Sequence, residues 1–498
     1  MREKGYDRGD RTHVGYVRNG NVKNGQSLRS ITLVAAITLA TMIVFGAGMF
    51  TAHVMNSGGF IPAIVQMAQI VPGTYDVQDG AEDIPGATSL TPLKTFWRAR
   101  QRIIENFVYP EELSLDELTY GAISGMLKSL GDPYSRFMNP EQYEEFQTQS
   151  TGRFEGIGAE LVMEENEETG EDEVVILRVI PEGPASETSL YAGDVIVGVD
   201  GNSVRGMSLQ EVVNLIRGEG GTDVVLNVRH ADAEEIVDVT ITRGRVEFPI
   251  VEFKMIDEEK KIGYIWLRSF NHLAEAKVQE ALDSLKKDGM QALLFDLSSD
   301  PGGMLDQAVA VGSLFLDDTP ITWIRDRNGD PEPLNARPGI MLEEDIPIVV
   351  LVDAGSASAS EIVAGALHDH KRATLVGTRS FGKGSVQTII PLGAGNGALA
   401  LTTARYYTPS GRSIQAQGIA PDIEVKQDVP DDLKDRTDIK GEASMRGHLS
   451  AADGTEQTGS QSYVPPDEKD DKALHAAFNV LRGVTVNADV RAKAAVPN

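Results

Sequence analysis

The spacing of apolar residues changes character along the chain, and each change marks a region. From 93 to 147 it is helical. TFWRARQRIIENFV, SLDELTYGAISGMLKSLGD and NPEQYEEFQ carry apolar positions at intervals of three and four, which predicts a small helical subdomain. Ser114 with Glu117 forms a capping box, and Gly131 with Pro133 stops that helix. From 151 to 247 the period drops to two. GIGAELVME, EVVILRVI, DVIVGVDG, DVVLNVRH and EEIVDVTITR predict short strands, interrupted by one helix, SLQEVVNLIRGE, capped by Ser208 with Glu211. A compact, mainly antiparallel β-domain follows from that pattern. From 248 to 427 buried-type strands such as ALLFDLSS and PIVVLVD alternate with helices such as MLDQAVAVGSLFLD and ASEIVAGALHDH, the signature of an α/β layer. Residues 428–466 are polar and aperiodic, which predicts a flexible segment. The amphipathic stretch DEKDDKALHAAFNVLRG opens a C-terminal helix and tail, 467–498.

The N-terminal region changes the picture of where the protein works. Residues 31–50, ITLVAAITLATMIVFGAGMF, hold no charge and match the roughly 20 residues a helix needs to cross a bilayer. The preceding tail, 1–30, is basic, with Arg2, Lys4, Arg8, Arg11, Arg18, Lys23 and Arg29 against Glu3, Asp7 and Asp10. That bias holds the N-terminus in the cytoplasm and sends the rest across. The segment reads as an uncleaved inner-membrane anchor or a signal peptide, GAGMFTA being a candidate cleavage region. Residues 51–92 read as a linker, and the bulk of the chain is expected on the extracytoplasmic, periplasmic side. The formal net charge of −28 over 498 residues argues against a nucleic-acid partner. With no cysteine, thiolate catalysis and cysteine-ligated metals are excluded.

The candidate chemistry lies at strand ends. GSASASE at 355–361 follows the strand IPIVVLV and opens a helix. Ser358 and Glu361 fit a helix capping box first; the other reading of Ser358 is a nucleophile whose following N–H, on Ala359, faces a developing oxyanion. His368 and His370 stand at the far end of that helix, about 15–18 Å from its start at 1.5 Å per residue, too far to serve as base. Two residues apart, they also make a weak metal pair. Lys383, in SFGKGSVQ, is either a surface lysine in a glycine turn or a base. As a base it must lose about three units from its reference pKa, roughly 4 kcal/mol of desolvation. Gln387, four positions on, shares its face in an extended strand and adds no charge. DPGG at 300–303 follows ALLFDLSS, and its glycines either turn N–H groups toward a ligand or make a plain strand-to-helix turn. Ligands of open α/β sheets gather at these strand ends.

In order and spacing, DPGG, GSASASEIVAGALHD and FGKGSVQ resemble the C-terminal processing peptidases, serine peptidases with a Ser–Lys dyad and an embedded PDZ domain. The resemblance spans residues 93–427 and the last helix. It implies a crotonase-like α/β protease core carrying an inserted PDZ domain at 151–247. It also implies Ser358 as nucleophile, Lys383 as general base and Gln387 as the residue that orients the lysine. Ala359, Gly302 and Gly303 match the oxyanion-hole backbone, and Ser356 and Ser360 match serines that are not the nucleophile. SSD stands before Pro-Gly-Gly where the family commonly has Arg and Asn. No cofactor or metal is implied.

FEGIGAEL, GPASETSLYAGDVIVGVDG and SLQEVVNLIRGEGGT resemble a PDZ domain, which takes an extended peptide as an added strand. Gly156, Ile157 and Gly158 match its carboxylate-holding loop. Arg217, after the PDZ helix, is either a solvated turn arginine or a candidate to pair with a carboxylate of the protease core and couple capture to activation. The resemblance implies protein substrates with apolar C-termini, cleaved near that end. An adaptor or regulator stays open, as does a homodimer through the helices at both ends of the chain. Two rival readings remain: a catalytically inactive, membrane-tethered PDZ scaffold, and an acyl-CoA enzyme on a crotonase-like core.

Overall fold

The computed structural model describes residues 91–483, apart from 167–168, 232, 234, 394, 432, 434–437, 440, 452–453 and 458. The basic tail, the membrane or signal segment and all but the end of the linker lie outside the described residues. Among those described, no helix is long and apolar enough to cross a membrane.

Helices α1 (Thr91–Asn106), α2 (Leu115–Lys128) and α3 (Pro140–Thr151) come first. Ser114 caps α2 by accepting the Glu117 N–H at 3.2 Å. Asn139 and Gln142 exchange both bonds of a capping box at α3, with Pro140 set where its missing N–H costs nothing. Phe96, Trp97 and Ile103 of α1 and Leu115 and Met126 of α2 are exposed, so these helices present an uncovered apolar face.

Next comes an antiparallel sheet of β1 (Ala159–Glu165), β2 (Asp172–Val179), β3 (Val195–Val199), β4 (Asp223–Arg229) and β5 (Ile236–Thr242), ordered as in the chain. Val224, Leu226 and Val228 alternate inward along β4 and pack with Val212 and Ile216 of α4 (Leu209–Ile216). Strand β1 is an edge, with no neighbour beyond β2 among the described residues.

The α/β layer contains β6 (Val251–Asp257), β7 (Ile262–Leu267), β8 (Ala292–Asp296), β9 (Ile348–Val352), β10 (Ala373–Gly377) and β11 (Ile423–Glu424), again in chain order. Only β6 runs antiparallel. Helices α5 (Ala274–Lys287), α6 (Leu305–Ser313) and α7 (Ala359–Asp369) cover one face, meeting Leu293, Phe295, Val350 and Val352. Helix α8 (Lys472–Leu481) covers the other, meeting Leu294, Val349 and Leu351 through Leu474, Ala477 and Phe478. Because both faces are covered, β8 and β9 are apolar at nearly every position, and each fully buried side chain contributes about 1.5–3 kcal/mol. Helix α8 thus has its apolar face on its own sheet and is not available to pair between chains.

A second sheet joins Arg136–Met138, Ala398–Tyr407, Pro320–Asp326 and Pro331–Asn335, with Ser385–Pro391 also paired to Ala398–Tyr407. It brings the loop after α2 beside the loop carrying Lys383. The described part of 428–466, expected to be flexible, instead packs on the core. Gln461 accepts the Ala354 N–H and the Thr378 hydroxyl, Ser462 donates to Asp353 at 2.7 Å, and Glu442 is fully buried. Polar hydrogen bonds hold this segment, so hydrophobic periodicity gave no signal for it.

Candidate active site

Strand β9 ends, turns and enters α7 through Ser358, whose backbone holds φ 55° and ψ −112°. That left-handed conformation is strained for a serine and is kept only where surrounding contacts impose it. The three serines of GSASASE divide their work. Ser356 donates to the Leu297 carbonyl at 2.8 Å and Ser360 to the Asp300 carbonyl at 2.9 Å, so both pin this turn to the loop after β8. Both are fully buried, whereas Ser358 keeps 7% of its surface exposed. The Tyr406 hydroxyl is a hydrogen-bond neighbour of the Ser358 side chain and donates to the Lys383 carbonyl.

Gly302 packs so closely that a Cβ there would lie 2.5 Å from the Ala357 carbonyl oxygen and 2.7 Å from the Ala359 nitrogen. With φ at 91°, no other residue fits without moving the turn. Of the expected oxyanion donors, the Gly302 N–H is already bonded to Asp300 Oδ1 at 2.8 Å. The N–H groups of Gly303 and Ala359 have no acceptor among the described residues. Sequence reasoning grouped the three, but the aspartate of DPGG claims one. Asp300 is itself fully buried, its Oδ2 has no hydrogen-bond partner among the described residues, and burial holds its carboxyl well above the usual range.

Lys383 is 1% exposed. Its amine donates to the Ser385 carbonyl at 2.9 Å and to Gln387 Oε1 at 2.5 Å, and it lies 4.8 Å from the centre of the Tyr134 ring. Gln387 is held in turn by donating to Ser385 Oγ and Thr402 Oγ1. Desolvation pushes the lysine down to about 7, opposed by the fields of Glu442, Asp132 and Glu361. Both acceptors of its protons are neutral, and neither is Ser358. An amine has two N–H bonds when neutral, so these contacts leave the nitrogen lone pair for another proton.

Glu361 does more than cap a helix. Its fully buried carboxylate accepts from the N–H of Ser358 at 2.9 Å, the Ser380 hydroxyl at 2.6 Å, the Gly382 N–H at 2.7 Å and the Lys383 N–H at 2.9 Å. One side chain therefore fixes the serine turn against the lysine loop. Burial pushes it up to about 7, these bonds pulling the other way. Its spacing from Ser358 announced only the cap. Tyr406, Tyr134 and Glu442 were missed altogether, because each reaches the site from distant sequence.

The remaining candidates lie elsewhere. His368 bonds Asp422 at 3.1 Å and His370 the Pro320 carbonyl at 2.7 Å, both at the far end of α7. Among the described residues, no cluster of His, Asp or Glu could hold a metal ion. Gly156, Ile157 and Gly158 are buried in the turn leading into the edge strand β1, with α4 packed beside it. Arg217 takes the solvated position. It is exposed and makes no ion pair among the described residues, its N–H closing the end of α4 on Val213. Charged contacts between the β-domain and the core include Arg178, which pairs with Glu160 at 2.7 Å and reaches Glu252, itself bonded to Arg268 at 2.6 Å, and Glu247, which pairs with Lys277 at 3.5 Å.

Comparison with known proteins agrees with this layout. The description "Peptidase family S41" matches residues 261–425, "PDZ domain" matches 147–229, and "Activating protease CtpB N-terminal domain" matches 66–142. The chain is 41% identical over 378 residues to a carboxy-terminal-processing protease of Bartonella bacilliformis, covering 75% of this chain and 84% of that one. It is 37% identical over 327 residues to carboxy-terminal processing protease CtpA of Bacillus subtilis, covering 66% and 67%. A solved photosystem II D1 C-terminal processing protease is 32% identical, covers 67% of this chain and 92% of its own, and superposes with a TM-score of 0.38. The α/β layer, the PDZ domain and the extent of these matches make the chain a member of the C-terminal processing peptidase family, a serine-type peptidase.

Proposed function

We propose that this protein is an endopeptidase that captures apolar protein C-termini with its PDZ domain and cleaves near them with a Ser358–Lys383 dyad on a crotonase-like core. The observation that carries the reading is the setting of Lys383: buried, lowered by desolvation, and bonded to two neutral acceptors that leave its lone pair open. Ser358 Oγ attacks the scissile carbonyl carbon while its proton passes to Lys383. The oxyanion is held by the N–H groups of Ala359 and Gly303, each such donor being worth about 3–4 kcal/mol in comparable enzymes. Collapse returns the proton to the departing amine and leaves an acyl-serine. Water, deprotonated by the same lysine, then hydrolyses the ester. Substrate enters as a strand along β1, its carboxylate at Gly156–Gly158 and its apolar side chains toward α4. Residues 31–50 hold the enzyme in the inner membrane or are removed as a signal, placing it on the periplasmic side. The helical region 93–147, with its exposed apolar face, is the surface for a homodimer.

The inactive-scaffold reading keeps one observation in its favour, that Lys383 makes no hydrogen bond to Ser358. The test incubates the full-length protein, Ser358→Ala and Lys383→Ala with an unfolded protein ending in apolar residues and reads products by mass spectrometry, with sedimentation velocity on the same samples. Cleavage by the wild type alone, from a dimer, is expected. Binding without turnover by all three would establish the scaffold instead.

A further inference from the structure

Lys383 is sealed by groups from outside the α/β layer. Tyr134, in the loop after α2, is fully buried and sets its ring over the amine. Its hydroxyl donates to Glu442, from the segment beyond the core, and Glu442 also accepts from Gln415 Nε2 at 2.9 Å. Gln415 in turn accepts the Gly384 N–H at 3.0 Å, and the Glu442 N–H bonds the Phe381 carbonyl at 3.0 Å. The two segments thus close on both flanks of the FGKG loop. A fully buried carboxylate beside a lysine base is an expense the fold would avoid if only shape were needed, since an amide would keep Tyr134 and Gln415 bonded without a charge.

We propose that Tyr134 and Glu442 are positioning residues for Lys383: the ring excludes water from the amine, and the Glu442 carboxylate is the charge that sets when the amine releases its proton. The inference rests on the dyad reading above. The other titratable groups facing the lysine are Asp132, Glu361 and Tyr406. Asp132 is turned to the Tyr134 N–H and the Ser135 hydroxyl, Glu361 to the serine turn, and Tyr406 to the Lys383 carbonyl. Glu442 faces His448 besides, whose ring is bonded to Glu456 at 3.1 Å. Burial raises Glu442 and lowers Lys383, so the charge on each favours the charged form of the other.

The test reads the Lys383 amine directly. Full-length Ser358→Ala protein is labelled with acetic anhydride at graded pH, and modification of the Lys383 peptide is followed by mass spectrometry, alone and with Glu442→Gln or Tyr134→Ala added. Glu442→Gln removes an anion and is expected to lower the midpoint by about one pH unit, whereas Tyr134→Ala admits water and raises it by a similar amount. A purely structural role predicts no such opposition. Unmoved midpoints, or two shifts of the same sign, overturn the proposal. Glu442→Gln, nearly isosteric, decides alone if Tyr134→Ala fails to fold. The pH profile of kcat/KM with Ser358 restored separates the two readings. Midpoints that move while the rate profile stays fixed keep the Glu442–Lys383 coupling and remove Lys383 from the base role.

Discussion

Around Ser358 most polar contacts come from the neighbouring ends of β8 and β9 and the first turn of α7, while the Lys383 amine, bonded to Ser385 and Gln387 nearby, is enclosed by Tyr134 and by Glu442 and Gln415 from distant segments. The serine side is local. Its small residues, its glycines and its strained turn all follow from bringing two parallel strands to one edge. The lysine side is assembled, and the chain must complete its second sheet and its last segments before the amine is dry. The difference separates two physical tasks. Aiming a hydroxyl and two N–H groups needs only precise backbone. Holding an amine neutral needs the exclusion of water on every side, which no short segment can supply.

Glu361 joins the two sides, so its removal should have the largest effect. Glu361→Ala leaves the N–H groups of Ser358, Gly382 and Lys383 and the Ser380 hydroxyl without their acceptor in a closed interior. A loss of about 3–5 kcal/mol in stability is expected, with activity falling below detection even where the fold survives. Thermal melting and kcat on the same samples check it. A variant that melts normally and cleaves normally would mean that each side stands without the other.

Next in size is a change confined to the lysine side. Gln387→Glu places a carboxylate where a neutral oxygen now accepts from the amine at 2.5 Å. An anion there favours the ammonium form, so the lysine becomes neutral only at higher pH. The acid limb of kcat/KM should move alkaline by about one to two units, a loss of roughly ten-fold or more at pH 7, with the alkaline plateau little changed. A fall in the plateau without movement of the limb would show that Gln387 positions the lysine but does not set its charge.

The same division explains what was legible in the sequence. DPGG and GSASASE each lie within a few residues and follow unmistakable buried strands, so their place at the strand ends was legible, while the choice between chemistry and a plain turn or cap was not. FGKGSVQ showed Lys383 and Gln387, but not what buries the lysine and lowers it. Tyr134 directly follows the Gly131 and Pro133 that stop a helix, and Glu442 lies in a stretch with no hydrophobic period. Arg217 allowed two readings, and the solvated one is seen: it is exposed, while Arg178 and Glu252 span the gap. Pattern reading finds groups that act on their own segment. It cannot find those whose meaning is their distance from another.

The smallest expected change tests the serine side. Asp300 keeps one carboxyl oxygen on the Gly302 N–H and the other unpartnered, fully buried, near Asp296 and Asp353. Burial raises its carboxyl in the folded state, so the folded protein holds a proton that the unfolded chain gives up near pH 4. Stability contributed here therefore falls as pH rises above that value. Asp300→Asn keeps the oxygen that accepts from Gly302 and removes the proton equilibrium. Its melting temperature should match the wild type near pH 4 and exceed it by roughly 2–4 °C at neutral pH, with kcat within about twofold. If the gain appears, the aspartate serves only to shape the loop, and the serine side is as indifferent to charge as its local construction implies. If kcat drops while the melting temperature rises, the charge or proton on Asp300 acts on the Gly303 and Ala359 N–H groups during turnover, and the serine side shares the electrostatic sensitivity that otherwise belongs to Lys383.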